Sequence, residues 1–323
     1  MNNKKMLGNL LLLLTAMIWG TAFVAQRVGM DSIEPITFNA SRMALAAVMV
    51  GALAYVLRYK QKKETLRLVP SKQTLPAEEE HIARNAEDST APWKNTLTGG
   101  ICCGLFLTAG SVFQQMGVVY TSAGKAGFIT AMYMLFVPII NYILFKKKNS
   151  WLVWLAVFIG VGGMYLLCVK EDFTLTRGDM LVCICALMFS GHILCCDYFV
   201  KLANPIELAA IQFATASVVS AVIAFLTETP VWTGIVSAAV PIIYCGVVSG
   251  GIGYTLQIVA QKYTDPTVAS LLMSLESVFA VIAGAVLLGE QMSSRELLGC
   301  VIMFAAIILV QVPLPGGRKD QTA

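Results

Sequence analysis

Runs of about 18 or more predominantly apolar residues, the length that can cross a bilayer as helix, recur along this chain. Ten apolar segments lie at approximately 7–28, 35–58, 97–119, 123–146, 151–169, 179–199, 205–226, 235–259, 266–288 and 296–313. In lipid every backbone N–H and C=O must be satisfied within the structure, so a chain of this kind spans as helices or as a closed barrel. The short alternating segments of a barrel are absent, and the expected fold class is an all-α polytopic membrane protein with ten transmembrane helices. Composition agrees, with 57% hydrophobic and 13% charged residues, the latter about half of ordinary soluble usage. The first segment is read as a retained helix, because Trp19-Gly20-Thr21 makes a poor signal-peptide cleavage site.

The distribution of basic residues gives an orientation. With a cytoplasmic N-terminus, 17 of the 23 Lys and Arg fall in cytoplasmic segments and only Lys170, Arg177 and Arg295 in outer loops, so both termini are expected inside the plasma (inner) membrane. The net charge of +4 is then the positive-inside bias and calls for no nucleic-acid partner. The segment of about 59–96 is the long polar interruption, basic at Lys60, Lys62, Lys63 and Arg67 and acidic at Glu78-Glu79-Glu80. It is expected to be a solvated cytoplasmic insertion, and its first basic cluster can meet anionic head groups.

Metal and cofactor chemistry find little support. All nine cysteines lie in or beside apolar segments without CxxC spacing, and there are two histidines, His81 and His192. Small apolar packing is the reading for the thiols, and neither cofactor nor metal is expected. No GxxxxGK[ST] sequence supplies an ATP site, and neither HExxH nor GxSxG supports an intramembrane enzyme.

Two halves of the chain align with each other. At an offset of 170, Pro35 falls on Pro205, Trp19 on Phe189 and Arg42 on Gln212; at 143, Gln114 falls on Gln257, Tyr120-Thr121 on Tyr263-Thr264 and Tyr133 on Glu276. The offset changes by roughly the length of the 59–96 insertion. Residues 1–170 and 171–323 are therefore expected to be two five-helix repeats, inverted because five is odd. The ten spans in two copies, the LTAMIWGTAFVAQR segment (14–27) and the LESVFAVIAGAVLLGE segment (275–290) before a short last helix resemble the EamA branch of the drug/metabolite transporter superfamily. The resemblance covers nearly the whole chain. It implies alternating access around a central cavity between the copies, with substrates in the family ranging over amino acids, drugs, nucleotide sugars and other metabolites. One departure is Lys146-Lys147-Lys148, where the second half has Gly289-Glu290-Gln291.

Polar groups deep in the spans are the candidate site. Glu276 comes first: a helix begun at Pro266 reaches it after about 15 Å, half a hydrocarbon layer, and an acid at that depth faces a bundle interior or a wet cavity. Tyr133 is its repeat mate. His192, at similar depth, can exchange a proton with Glu276 if the two share a cavity. Arg42 can bind a carboxylate or phosphate, pair with an intramembrane acid, or snorkel outward. Gln114 and Gln257 either line the path or bond helix to helix, and Trp19 and Tyr254 are wall candidates. Trp93, Trp151, Trp154 and Trp232 are expected as interface anchors, while Lys125, Asp197 and Arg27 are gate or snorkelling candidates. The Gly250-Gly251-x-Gly253 cluster is expected to let its helix bend.

The expected function is non-ATP transport of a small metabolite, amino acids and drug-like molecules both within range, with protons a possible coupling ion and exchange or facilitated diffusion fitting equally. The alternatives from other classes are an intramembrane enzyme and a sensor or scaffold acting through residues 59–96. Substrate, direction and oligomeric state are not specified by the sequence.

Overall fold

The computed structural model describes residues 3–68, 93–120, 123–168, 176–288 and 293–311, all of them helix, turn or short connection. Helices α1 (Asn3–Gly29), α2 (Pro35–Leu68) and α3 (Trp93–Tyr120) come first, then the pair α4 (Ala123–Ala131) and α5 (Tyr133–Phe145), and α6 (Trp151–Cys168). The second half holds α7 (Arg177–Phe199), α8 (Pro205–Thr227), the short α9 (Trp232–Ser237) and α10 (Ala239–Ile243), a π-helical segment Tyr244–Tyr254, and α11 (Thr255–Gln261). It ends with α12 (Pro266–Met273), α13 (Glu276–Leu288) and α14 (Ser294–Gln311). Among the described residues, eight helical stretches are long and apolar enough to cross a membrane, and a shorter apolar helix covers Trp151–Leu166.

Local chemistry sets the helix starts. Pro35, Pro205 and Pro266 each occupy a first helical position, where the missing N–H costs nothing. Asn204 accepts from the amides of Ile206 and Glu207, and Asp265 from that of Thr267. Thr176 with Asp179, and Ser293 with Glu296, form reciprocal capping pairs on α7 and α14.

The outside carries large apolar side chains, and the interior is a mostly apolar core in which a minority of polar and charged groups is buried. Phe225, Leu226, Val240 and Val286 are each at least 75% exposed. Arg42, Gln114, His192, Gln212, Gln257 and Glu276 are buried. Such a surface is stable against hydrocarbon, and this is a multi-pass membrane protein.

Three expected single helices depart from regular α-helix. The 123–146 segment is interrupted at Met132 and the 266–288 segment at Ser274 and Leu275. Both interruptions tighten to i→i+3 bonds, Leu135 N to Met132 O at 2.9 Å and Ser277 N to Ser274 O at 3.2 Å. In the second half, Ser270 and Ser274 turn their hydroxyls back onto the carbonyls of Thr267 and Leu271, which competes with the regular ladder. In the first, Pro138 inside α5 removes a donor just beyond the break. Glu276 thus opens a helix rather than lying in mid-helix. The third departure is the 235–259 segment, whose glycine cluster lies in the π-helical stretch Tyr244–Tyr254. The polar insertion is also shorter than expected, since α2 continues to Leu68 and α3 starts at Trp93. The acidic run at 78–80, the side chain of Lys125 and the closing Gly289-Glu290 lie outside the described residues.

The long helices α2 and α8 pack antiparallel and are joined at both ends. At one end Glu228, just past α8, accepts from the backbone amides of Ile36 and Thr37 at 2.8 and 2.7 Å and from the Thr37 hydroxyl at 2.7 Å. Glu34 reciprocates by accepting from the Thr229 amide at 3.0 Å. At the other end Arg58 and Glu207 stand 4.0 Å apart. These contacts obey the offset of 170, since residues 58 and 228 correspond, as do residues 37 and 207, and residue 58 meets 207 while 228 meets 37.

Candidate functional site

The Tyr133 hydroxyl donates to Glu276 Oε1 at 3.0 Å, and Tyr133 and Glu276 are the first residues of α5 and α13. Tyr133 is 2% and Glu276 3% exposed. Their segments cross closely, since the Ser277 hydroxyl donates to Gly127 O at 3.3 Å. Tyr133→Phe deletes a hydrogen bond to a carboxyl group and is expected to cost about 1.5–3 kcal/mol, read as a lower unfolding midpoint of the detergent-solubilised protein; an unchanged midpoint would show that water takes the phenol's place.

The cavity beside this pair is lined by all eight sequence candidates: Trp19, Arg42, Gln114, Tyr133, His192, Tyr254, Gln257 and Glu276. Its volume is about 30 Å³, room for roughly two waters. Gln26, Thr130 and Ser249 add polar groups to the lining, and Phe23 and Phe189 add aromatic rings.

Arg42 neither snorkels nor pairs with a carboxylate among the described residues. It is 5% exposed, and its Nε and Nη2 both donate to Asn39 Oδ1, at 3.0 and 2.8 Å. Asn39 is fixed in turn by donating to the Ser220 hydroxyl at 2.9 Å, and the guanidinium lies 5.7 Å from the centre of the Phe38 ring. His192 reaches Gln212 Oε1 at 3.1 Å through Nε2, with Cys196 Sγ 3.4 Å away. Gln212 is the position that aligns with Arg42. No direct bond joins His192 to Glu276 among the described residues, so the expected acid and imidazole share the cavity without touching.

The π-helical stretch presents its aromatic edge to α1. Trp19 Nε1 donates to Ser249 O at 3.2 Å, and its ring centre lies 4.5 Å from that of Tyr254. The Thr15 hydroxyl donates to Gly253 O at 3.3 Å, and Thr21 bonds the Tyr244 hydroxyl. Gly253 is needed there, because a Cβ would stand 2.7 Å from Trp19 Nε1. Gln114 Nε2 donates to Thr130 Oγ1 at 3.3 Å and Gln257 Nε2 to Gln261 Oε1 at 3.1 Å. Both glutamines line the cavity; the Gln114 bond runs from α3 to α4, whereas the Gln257 bond stays within α11 and joins no second helix.

The bystanders also have definite places. Asp197 pairs with Lys201 at 2.9 Å, and Arg27 donates to Val118 O at 3.1 Å, so each makes a local contact near a helix end. Trp93, Trp151 and Trp232 start helices and are exposed. Asn39 and Gln26 were missed by sequence reasoning. Asn39 stands three residues before Arg42, on the same helix face, which is the signal that would have found it; Gln26 carries no such signal.

Fold and cavity together define a multi-pass helical membrane protein with a buried polar chamber at its centre. The EamA-like transporter family model matches residues 6–169 and 176–312, and the chain belongs to that family. An uncharacterized transporter of Archaeoglobus fulgidus is 26% identical over 313 residues, 96% of this chain and 87% of its own length. The uncharacterized transporter YoaV of Bacillus subtilis is 20% identical, over 95% of this chain and 96% of its own. A crystallised protein at 17% identity shares the fold with a TM-score of 0.71, over 94% of this chain and 96% of that one.

Proposed function

We propose that this protein is a secondary, non-ATP transporter of a small metabolite that works by alternating access about the central cavity. Its ten spans form two inverted five-helix repeats, residues 1–170 and 171–323, in the plasma membrane with both termini cytoplasmic. The observation that carries this reading is the pair of helix interruptions at Met132 and at Ser274-Leu275, positions related by the offset of 143. They deliver Tyr133 and Glu276 to one hydrogen bond from opposite halves. Interrupted helices meeting at a midplane site are how inverted-repeat transporters build a binding site that two gates can share. The 18-residue helices Trp151–Cys168 and Ser294–Gln311, each about 27 Å long, complete the ten. A cavity with room for about two waters describes a constricted state, and substrate enters only when one set of helices rocks away from the other.

Protons are the proposed coupling ion, with Glu276 as the carrier. Glu276→Gln keeps the shape and can still accept from Tyr133, but it cannot cycle between charge states. The expected result is a fall on the order of tenfold or more in gradient-driven uptake into proteoliposomes, the scale of one lost charge-assisted interaction, with folding preserved. Unchanged flux and unchanged pH dependence in this variant would remove the coupling role.

A further inference from the structure

Helices α3 and α7 run antiparallel and close together, α3 in the first half of the chain and α7 in the second. Gly99, Gly110 and Gly117 of α3 lie against Phe199, Phe189 and Val182 of α7, and a Cβ added at each glycine would stand 2.5, 2.8 and 2.5 Å from them. Glycines at a helix contact let the backbones approach, and this register sets Cys103 opposite Cys195. Their Sγ atoms are 3.4 Å apart. Cys196 Sγ is 3.6 Å from that of Cys103 and 3.4 Å from Nε2 of His192, which lines the cavity, so thiols from two helices cluster directly behind the cavity wall.

Packing is the role the sequence suggests for these cysteines, and packing does not require three sulfurs at one contact. Among the described residues no group of His, Cys, Asp or Glu is arranged to hold a metal ion, which leaves the covalent chemistry of the thiols themselves. A disulfide holds its sulfurs about 2.05 Å apart, a closure that side-chain rotation and a small helix shift supply from 3.4 Å. Access is from the lipid side. Cys195 is half-buried, whereas Cys103 and Cys196 are fully buried. On α7 it shares a face with Ile184, Leu187 and Tyr198, all of them exposed.

We propose that Cys103 and Cys195 form a redox site, oxidised to a disulfide by a lipid-soluble hydroperoxide, and that the bond ties the two halves together and brakes the rocking between them. The brake rests on the transport reading above; the site does not. In the first step the Cys195 sulfur takes the distal peroxide oxygen as the O–O bond breaks, and the thiol proton goes to the leaving alkoxide, giving an alcohol and a sulfenic acid. In the second the Cys103 sulfur displaces that oxygen, the S–S bond forms, and the oxygen leaves as water with the Cys103 proton. One hydroperoxide and two thiols thus become one alcohol, one water and one disulfide. Thiols in an apolar setting react more slowly than exposed ones, so the site answers sustained peroxidation of the surrounding lipid rather than a brief pulse.

The test uses the purified full chain in proteoliposomes, treated with cumene hydroperoxide, then alkylated, digested and analysed by mass spectrometry. The expected product is a linked peptide pair joining Cys103 to Cys195, absent before treatment and lost on reduction with dithiothreitol. Cys195→Ala is expected to remove the cross-link between α3 and α7, and Cys196→Ala to leave it. The linked protein is expected to unfold several degrees higher, since the bond constrains the unfolded chain, and to return to its first midpoint on reduction. Counterflow of a solute that the reduced protein carries is expected to fall close to background on oxidation and to recover with dithiothreitol, while Cys195→Ala keeps its flux through the same treatment. If Cys195→Ala does not fold, reversal of the wild-type protein by dithiothreitol decides the matter. A sulfinic acid without a linked pair, or linkage of Cys103 to Cys196 in place of Cys195, overturns the site. A linked protein that transports as fast as the reduced one overturns the brake. A reduced protein that carries no amino acid, amine, nucleoside or sugar sinks the transport reading and the brake with it, and the linked peptide still decides the site.

Discussion

Replacing Gly20 with alanine is expected to lower the unfolding midpoint and to bring substrate flux close to background. A Cβ there would lie 2.5 Å from Phe279 Cβ, 2.7 Å from Glu276 O and 2.8 Å from Ala280 N. Two of these are backbone atoms of α13 and cannot turn aside, so α1 and α13 must separate. Overpacking of this kind costs about 1–3 kcal/mol, and the displaced backbone carries Glu276 with it. The matched control is Gly51→Ala in α2, where an added methyl meets nothing within 4 Å. There the change removes backbone freedom from a helix interior and should stabilise by up to about 1 kcal/mol. Opposite signs at the two sites are the expected pattern. Equal and mild effects would show that α1 does not rest on α13 as closely as described.

The second large effect belongs to Glu228. Its carboxylate satisfies two orphan amides and a hydroxyl at the start of α2, where the helix dipole also favours negative charge. Glu228→Ala is expected to destabilise by about 2–4 kcal/mol, from several coupled hydrogen bonds to an ionised group. Glu228→Gln should lose less, because its carbonyl can still accept. The contact at the opposite end, Arg58 with Glu207 at 4.0 Å, is solvent-facing and worth below about 1 kcal/mol. Arg58→Ala should therefore barely move the midpoint. A thiol introduced as Ile36→Cys, at a buried side chain whose own amide donates to Glu228, should react faster with a water-soluble maleimide in the Glu228→Ala background. Equal rates there, with an unchanged midpoint, would mean that Glu228 does not hold that end shut.

Much of the architecture was legible because lipid and helix ends leave plain marks. Pro35, Pro205 and Pro266 announce helix starts, and apolar length announces spans. The eight candidate side chains converge on one cavity because they were chosen by depth and by the two alignment offsets, and depth in a span is nearly a coordinate. The interruptions were not legible, since Met132 and Leu275 are ordinary helix residues. Their turns arise from serine hydroxyls bonding backward and from Pro138 several residues away, and the hydrogen bond between Tyr133 and Glu276 forms only once both halves are folded. The surroundings of Arg42 were legible in part. Its depth ruled out an ordinary loop charge, but only the fold shows that Asn39, not an acid, is what it holds.

The π-helical stretch between Tyr244 and Tyr254 has a bearing on how such a cavity can be retuned. Each residue of an ordinary α-helix advances the azimuth by about 100°, whereas i→i+5 bonding fits extra residues into each turn and so delays every side chain that follows. The stretch acts as a phase shifter: Tyr244 bonds Thr21 ahead of it, while Tyr254 and Gln257 beyond it still reach the cavity. Deleting Val247 or Val248, neither of which lines the cavity, would leave a continuous helix with both flanks intact yet swing Tyr254 and Gln257 toward a different azimuth. Descendants of this chain can therefore exchange one wall of the chamber by gaining or losing a single codon, with no lining residue itself replaced.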